Sequence, residues 1–421
     1  MSASVETTPA RPGPAVPRRG FLLFLGLAAV GAAMANLVPA VLTLSLKATE
    51  LDAARATTTV SVVTGVGALA SLIAFPLLGR LSDRTTSRLG RRRPFLLLGA
   101  ALFAVGAVIM LVAGSTPVLT LAAVATFTGF SSVTVACTAV LADQVPPHRR
   151  GPASAVLGLS LPLGAVLGLF GAQLVAPHLA AMILLPAAAA IAGTLALFAF
   201  LRDAPITERP PFDARELART FWVNPRRRPD FAWAWASRLL VFLGVAAIQA
   251  YQTFYLILVL HFPPAEVASA VFLSTLVLTA AAVVFAPIAG KLSDRVRRRK
   301  PFVVAAALIF AAGLVMAAFA HSFPAFLTAV GVVGLGQGVY LSVDIALVTQ
   351  LVPDPANPAK DLGLMNIANT LPSSLVPAVA PAILALGATP EAPQNFAALF
   401  VFGAVAGLLG AVLVLPIRQV A

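Results

Sequence analysis

Apolar residues run through this 421-residue chain in twelve long stretches, and polar and charged residues collect in the segments between them. In the first half the stretches cover about 21–46, 57–78, 94–114, 117–142, 153–176 and 180–201. In the second they cover about 232–260, 267–289, 301–320, 324–351, 364–387 and 396–416. A helix needs ~20 consecutive apolar residues to cross the hydrocarbon core of a bilayer. Each stretch is of that order, so the pattern predicts an all-α membrane protein with twelve transmembrane helices.

The basic residues set the orientation. With the N-terminus placed in the cytoplasm, every lysine and arginine except Lys47, Arg55 and Arg238 falls in a cytoplasmic segment. Lys47 and Arg55 are balanced by Glu50 and Asp52, and Arg238 lies at or inside span 7. Positive charge is retained on the cytoplasmic side of spanning helices, which places both termini inside.

The chain is also doubled. Gly79-Arg80-Leu81-Ser82-Asp83-Arg84, closed by Arg91-Arg92-Arg93-Pro94-Phe95, joins spans 2 and 3. Gly290-Lys291-Leu292-Ser293-Asp294-Arg295, closed by Arg297-Arg298-Arg299-Lys300-Pro301-Phe302, joins spans 8 and 9. Asp83 and Asp294 stand half a chain length apart. Phe24-Leu25-Gly26-Leu27-Ala28-Ala29 in span 1 is echoed by Phe242-Leu243-Gly244-Val245-Ala246-Ala247 in span 7. Two copies of six helices that both start inside are parallel repeats, whose halves meet around a midplane site. The expected organisation is a disordered cytoplasmic tail at 1–19, a six-helix bundle at 20–201, a cytoplasmic linker at 202–230 and a second, pseudo-symmetric bundle at 231–421. Within the linker, Phe212 to Trp222 is expected to form a short interfacial helix, with Leu217 and Phe221 towards the headgroups.

Composition agrees and removes alternatives. The chain is 59% hydrophobic and 11% charged, against roughly 25% charged for an ordinary globular domain. Its net charge of +13 lies in alternate loops rather than on one domain, so no nucleic-acid partner is expected. One cysteine, Cys137, rules out a disulfide within the chain and a cysteine metal site. The four histidines sit in loops or at span ends without metal-ligand spacing, so neither a metal nor a cofactor is expected. The apolar run from Phe21 is too long for a secretory signal and is expected to remain as the first span. No enzyme motif is present.

Twelve helices in two halves, with Gly-x-x-Ser-Asp-Arg and a basic cluster after helix 2 and again after helix 8, resemble the major facilitator superfamily. Ser82-Asp83-Arg84-Thr85-Thr86-Ser87-Arg88-Leu89-Gly90-Arg91-Arg92-Arg93-Pro94-Phe95 is similar to the same loop of sucrose transporters and their bacterial relatives, the glycoside-pentoside-hexuronide type of cation symporter. Ala139-Val140-Leu141-Ala142-Asp143 is similar too. Thr138 stands where plant sucrose transporters carry an arginine. The resemblance implies a monomeric secondary transporter of the cell membrane, expected in the cytoplasmic membrane of a bacterium. It further implies that spans 1, 4, 7 and 10 line a central cavity, and that the doubled motif works as a conformational latch. The latch residues would be Gly79, Asp83, Arg84, Arg91 and Arg92 in the first copy and Gly290, Asp294, Arg295 and Arg298 in the second. The arginines would also meet anionic lipids at the cytoplasmic face.

Ionisable groups within lipid are functional candidates, and Asp344 is foremost among them. Gln337, Tyr340 and Asp344 share one stripe of span 10, and Ser131, Thr134 and Thr138 repeat that spacing in span 4. Asp344 is a candidate proton carrier. The competing reading is a permanent ion pair with Arg238, and Arg238 could alternatively snorkel beside Trp233 and Trp235. Tyr251, Gln252 and Tyr255 in span 7 suit a sugar, which rings stack on and amides bond; they equally suit an interfacial tyrosine pair. Asn366 and Asn369 in span 11, with Asn36 in span 1, are candidates for ligand binding or for helix-to-helix bonds. Asp143 is expected to cap its helix or pair with Arg149 or Arg150.

These residues point to alternating-access symport of a sugar or similar small polar solute, coupled to protons or another cation. The alternative is a proton-coupled exporter of drugs or amphipathic metabolites. Drug antiporters of the superfamily carry a Gly-Pro pair within span 5, whereas here Gly151-Pro152 lies just before it.

Overall fold

The computed structural model describes residues 19–203, 228–296, 299–351, 358–389 and 393–417. The tail, the linker helix expected at Phe212 to Trp222, and Arg298 lie outside the described residues. Within them every regular element is helical, and twelve helices are long and apolar enough to span a bilayer.

In chain order these are α1 (Phe21–Leu51), α2 (Ala56–Arg84), α3 (Arg93–Val112), α4 (Thr116–Gln144), α5 (Arg150–Leu174) and α6 (Leu179–Phe200). The second half has α7 (Pro229–Leu258), α8 (Pro264–Val296), α9 (Lys300–Ala318), α10 (Phe323–Leu351), α11 (Pro358–Thr370 continuing as Pro372–Leu384) and α12 (Phe396–Val414). Two helices are interrupted where proline removes a backbone donor. A π-helical turn at Pro39–Thr43 widens α1, and Pro372 follows the break in α11. Proline has no N–H to complete the regular ladder, so the turn before it opens.

The helices outrun their apolar cores. The doubled motif, read above as a loop, straddles a helix end: Gly79 to Arg84 form the last turns of α2, and Gly290 to Arg295 lie in α8. Hydropathy marks where the bilayer stops. The backbone continues hydrogen bonding into the headgroup layer, where a helix C-terminus favours the cations found there.

The halves repeat one another in packing. α1 lies against α6 as α7 lies against α12, α3 against α4 as α9 against α10, and α2 against α4 as α8 against α10. Close approach of backbones sets the tightest crossings. A Cβ on Gly31 of α1 would come within 2.8 Å of the Ala189 carbonyl oxygen of α6, and one on Gly244 of α7 within 2.9 Å of the Gly403 carbonyl oxygen of α12. Small residues at such crossings let helices associate where lipid supplies no hydrophobic contrast. Leucines and valines such as Leu23, Ile73, Val112 and Leu121 stay exposed on the outside of the bundles, where acyl chains cover them.

The core is divided by depth. One apolar cluster combines residues of both halves, among them Val41, Leu42, Val60, Leu119, Phe127, Tyr251, Phe254, Val267, Phe326 and Phe400. All lie towards the ends opposite the basic segments. Nearer the basic side there are two separate clusters. Phe21, Leu25, Phe95, Phe103 and Val140 belong to the first half only, and Phe231, Val303, Tyr340, Met365 and Val414 to the second only.

Candidate functional site

Polar contacts between the halves follow the same division. The Ser61 hydroxyl of α2 and the Tyr251 hydroxyl of α7 are 2.7 Å apart. Thr253 of α7 donates to the Val41 carbonyl in the widened turn of α1. The Gln394 amide donates to Thr57 Oγ1 at 2.8 Å, and the rings of Phe170 on α5 and Phe272 on α8 lie 5.6 Å apart. All four are at the outer ends. With those ends joined and the inner cores separate, the space between the halves opens towards the basic, cytoplasmic face.

The first half supplies an uneven wall to that space. A cavity of about 410 Å³ is lined by residues of α4 and α5 and by Ala29 of α1. Thr134, Thr138, Ser154 and Ser160 line it among Phe130, Cys137, Leu141, Leu157 and Leu161, the Thr138 and Ser160 hydroxyls donating to carbonyls of their own helices at 2.9 and 2.6 Å. Ser131 belongs to the same sequence stripe but turns aside: its hydroxyl lies 2.7 Å from Ser71 of α2 and binds the helices together. A second pocket of about 70 Å³, beneath the outer closure, is lined by residues including Leu37, Thr64, Phe127, Gln249, Ser373 and Pro377. Asn36, half-buried, is the sequence neighbour of Leu37.

The second half carries the charge. Arg238 sits in the third turn of α7 and is buried, as is Asp344 of α10. Arg238 Nε donates to Asp344 Oδ2 at 2.7 Å, and Nη2 of the same guanidinium also donates to Oδ2. Both residues belong to one half, so the pair joins α7 to α10 and leaves the two halves free to separate. The neighbouring hydroxyls of Ser237 and Tyr340, together with Gln337 Oε1 and Asn369 Oδ1, are enclosed without a hydrogen-bond partner. Asn366, one turn before Asn369, is exposed. Trp235 donates to the Leu364 carbonyl at 2.9 Å and fixes α7 against α11.

Tyr251, Gln252 and Tyr255 are buried in the outer closure rather than presented to the open space. Tyr255 donates to the Ala320 carbonyl at 2.6 Å and stacks on Phe326 with 5.1 Å between centroids. Tyr251 reaches Ser61 of the first half, whereas Tyr255 packs within the second half, so the i, i+4 pair does not present its two hydroxyls to one place. Where each side chain points depends on the partner helices, which periodicity does not report.

At the basic end of the first half, Arg92 is the hub. Its guanidinium bonds Asp83 at 2.8 Å, Asp143 at 2.8 Å and Ser82 at 2.8 Å. Burial lowers the affinity of Arg92 for its proton, but hydrogen bonds and charge from Asp143 and Asp83 outweigh it and hold its pKa above the ordinary value. Arg91 bonds Asp143 at 2.6 Å. Asp143 therefore pairs with Arg91 and Arg92, not with Arg149 or Arg150. Arg150 instead donates to the Ala142 and Val145 carbonyls at 2.8 and 3.0 Å, where the C-terminal dipole of α4 attracts a cation. Sequence reading missed Asp203. Its carboxylate accepts the backbone N–H of Arg92 and, at 3.1 Å, of Arg93, capping the start of α3. Gly90 permits this, with φ +98° and no side chain to strike Asp203. The signal available was a lone acid immediately after span 6.

The repeat partners are arranged more openly. Asp294 lies 3.8 Å from Arg299 and is exposed, as is Arg295. Gly79 faces Val135 of α4, and Gly290 faces Ser342 of α10 at the equivalent crossing.

The sequence profile of the Major Facilitator Superfamily matches residues 20–283 and 260–420. The chain belongs to this superfamily. It is a transporter and not an enzyme, a multi-pass membrane protein whose fold serves secondary active transport of small molecules. No curated protein matches it by sequence. Among solved structures, a bacterial homolog of the human lysosomal transporter Spinster, in an inward-facing and unoccupied conformation, shares 15% identity at a TM-score of 0.68, over 94% of this chain and 95% of its own. The nucleoside transporter NupG shares 11% at 0.74, over 93% and 98%. The human organic anion transporter MFSD10 shares 19% at 0.62, over 93% and 98%. At these identities the likeness is one of fold.

Proposed function

We propose that this superfamily member couples movement of a small polar solute, a sugar or similar compound, to protons through Arg238 and Asp344. The observation that supports this most is the buried pair itself. Placing two charges in a low-dielectric interior carries a desolvation penalty of several kcal/mol per ion, and packing alone would be served as well by apolar residues. An acid that can be neutralised there changes what its arginine partner binds, which is what a coupling device requires. The solute would sit between Thr134 and Thr138 on one side and Gln337, Tyr340, Asn366 and Asn369 on the other, below Asn36. Tyr251, Gln252 and Tyr255 would contribute only when the outer ends part. We read the protein as a monomer of a bacterial cytoplasmic membrane, on its resemblance to bacterial symporters, with arginines of the doubled motif against anionic lipid.

A second reading rests on the lining of the larger cavity. Phe130, Leu141, Leu157 and Leu161 beside four hydroxyls would accept an amphipathic compound, which favours an exporter. The two readings separate in liposomes holding the purified protein under an inside-alkaline pH step. Sugar uptake with matching proton entry supports symport. Absence of sugar movement, together with loss of cationic dyes from cells that express the protein, supports export.

A further inference from the structure

We propose that Arg238 is the oxyanion-binding residue of the solute site and that Asp344 occupies it until a solute arrives, so that the transported solute carries a carboxylate or phosphate group. The inference deepens the coupling role proposed for this pair and rests on it.

Geometry supplies the first reason. A guanidinium presents a planar fork whose parallel N–H groups match two oxygens of one anion. Here Nε and Nη2 of Arg238 converge on the single oxygen Oδ2 of Asp344. The pairing is charge-balanced, but the fork's two-oxygen geometry is unused.

The neighbours supply the second. Ser237 precedes Arg238 on α7, and Tyr340 lies one turn before Asp344 on α10. Each is about 1% exposed, and each hydroxyl is enclosed without a partner. The Tyr340 hydroxyl lies beside Ser237, Arg238 and Asp344, near enough to interact with the Ser237 hydroxyl and the Asp344 carboxylate, but it makes no close, well-aligned hydrogen bond to either. A buried hydroxyl left unpaired bears the full desolvation penalty of a polar group. Two such groups beside an arginine form a set of donors with too few acceptors. An anion with two or three oxygens would satisfy the fork and both hydroxyls together.

The exchange balances in charge. Asp344 takes up one proton and becomes neutral, and its hold on Arg238 weakens. The oxyanion then takes the vacated place on the guanidinium. With a carboxylate solute, one proton and one monoanion cross together and no net charge moves; a phosphate monoester, at about −1.5 to −2 near pH 7, would carry net negative charge with it. The charged and titratable groups that act on Asp344 are Arg238 on α7 and Tyr340 on α10 itself.

The test removes the internal carboxylate and supplies one from solution. Purified Asp344→Gly protein is melted in chloride, acetate or phosphate at matched ionic strength, beside the wild type and the double variant Asp344→Gly, Arg238→Gln. The expected result is a rise of several degrees for Asp344→Gly in acetate or in phosphate, absent from the other two proteins. The acetate and phosphate arms tell a carboxylate solute from a phosphate one. Asp344→Asn serves if the glycine variant does not fold. Its affinity for gluconate or glucose 6-phosphate should exceed that of the wild type by about ten-fold, the scale of one charge-assisted hydrogen bond, with glucose unchanged. If acetate and phosphate stabilise all three proteins alike, or none, and the asparagine variant gains no anion affinity, the proposal is overturned. These readouts need no proton gradient. Anion rescue without proton entry in liposomes would defeat the coupling role while leaving the anion site standing.

Discussion

Ser61 of α2 and Tyr251 of α7 share a hydrogen bond of 2.7 Å across the interface between the two halves, with both residues buried. It is a bond between elements that must part when the outer side opens. A buried neutral hydrogen bond contributes a net ~1 kcal/mol, and about 1 kcal/mol is a factor of roughly five in a two-state ratio. Tyr251→Phe keeps the ring and removes only the hydroxyl. It should raise the outward-open population by about that factor. Spin-label distances between the outer ends of α2 and α7 measure it, and an unchanged distance distribution would show that the bond does not bias the closure.

The α1–α6 crossing makes a stability prediction. Ala189 and Ala190 backbone atoms lie 2.8–2.9 Å from where a Cβ on Gly31 would stand, and backbone cannot swing aside as a side chain can. Gly31→Leu must push the helices apart, at a cost of about 1–3 kcal/mol or more. A clear drop in melting temperature is expected. Gly158, with nothing within 4 Å of its Cβ position, is the control, and Gly158→Ala should melt like the wild type. Equal melting of both variants would contradict the close crossing.

Much of this architecture could be read from spacing alone, because a bilayer imposes it. Apolar runs of the bilayer's width and alternating basic segments leave little freedom in helix number or direction. The stripe Gln337, Tyr340, Asp344 was legible for the same reason, since a carboxylate in an apolar run stands out. The rest depended on neighbours. Ser131 and Thr138 lie on one stripe, yet one bonds Ser71 and the other is exposed. Arg238 has Gly20 as its counterpart in the first half, so the repeat gave it no partner. Its pairing with Asp344 arises from where α7 crosses α10. Asp203 caps a helix that begins far earlier in the chain, and no local pattern connects them.

The doubled motif gives a prediction about direction. Asp83 and Asp294 are 54% and 72% exposed at their side chains, so both have room for new partners when the inner ends approach. The expected role is to hold the inner ends closed. Asp83→Asn and Asp294→Asn should each favour the inward-open form, and the double variant more so. Alkylation of Thr138→Cys in a Cys137→Ser background reports it, because Thr138 is exposed at the inner cavity. Faster labelling from the cytoplasmic side in the aspartate variants is the expected outcome. Slower labelling would reverse the assignment.

Asp344→Asn separates coupling from movement. The amide keeps the shape of the carboxylate but cannot carry the charge, and Arg238 loses its counter-ion. A carrier that no longer needs a proton can still exchange solute for solute. It cannot use a proton gradient to concentrate it. In liposomes the variant should show solute exchange at a measurable rate and accumulation reduced to background under an inside-alkaline step. Arg238→Gln should lose both, since the residue proposed to receive the solute is gone. Breaking a buried pair by removing one partner costs about 3–5 kcal/mol, so melting temperatures must accompany both variants. If a well-folded Asp344→Asn protein still accumulates solute against its gradient, the proton is carried elsewhere. The buried pair would then be a structural tie between α7 and α10.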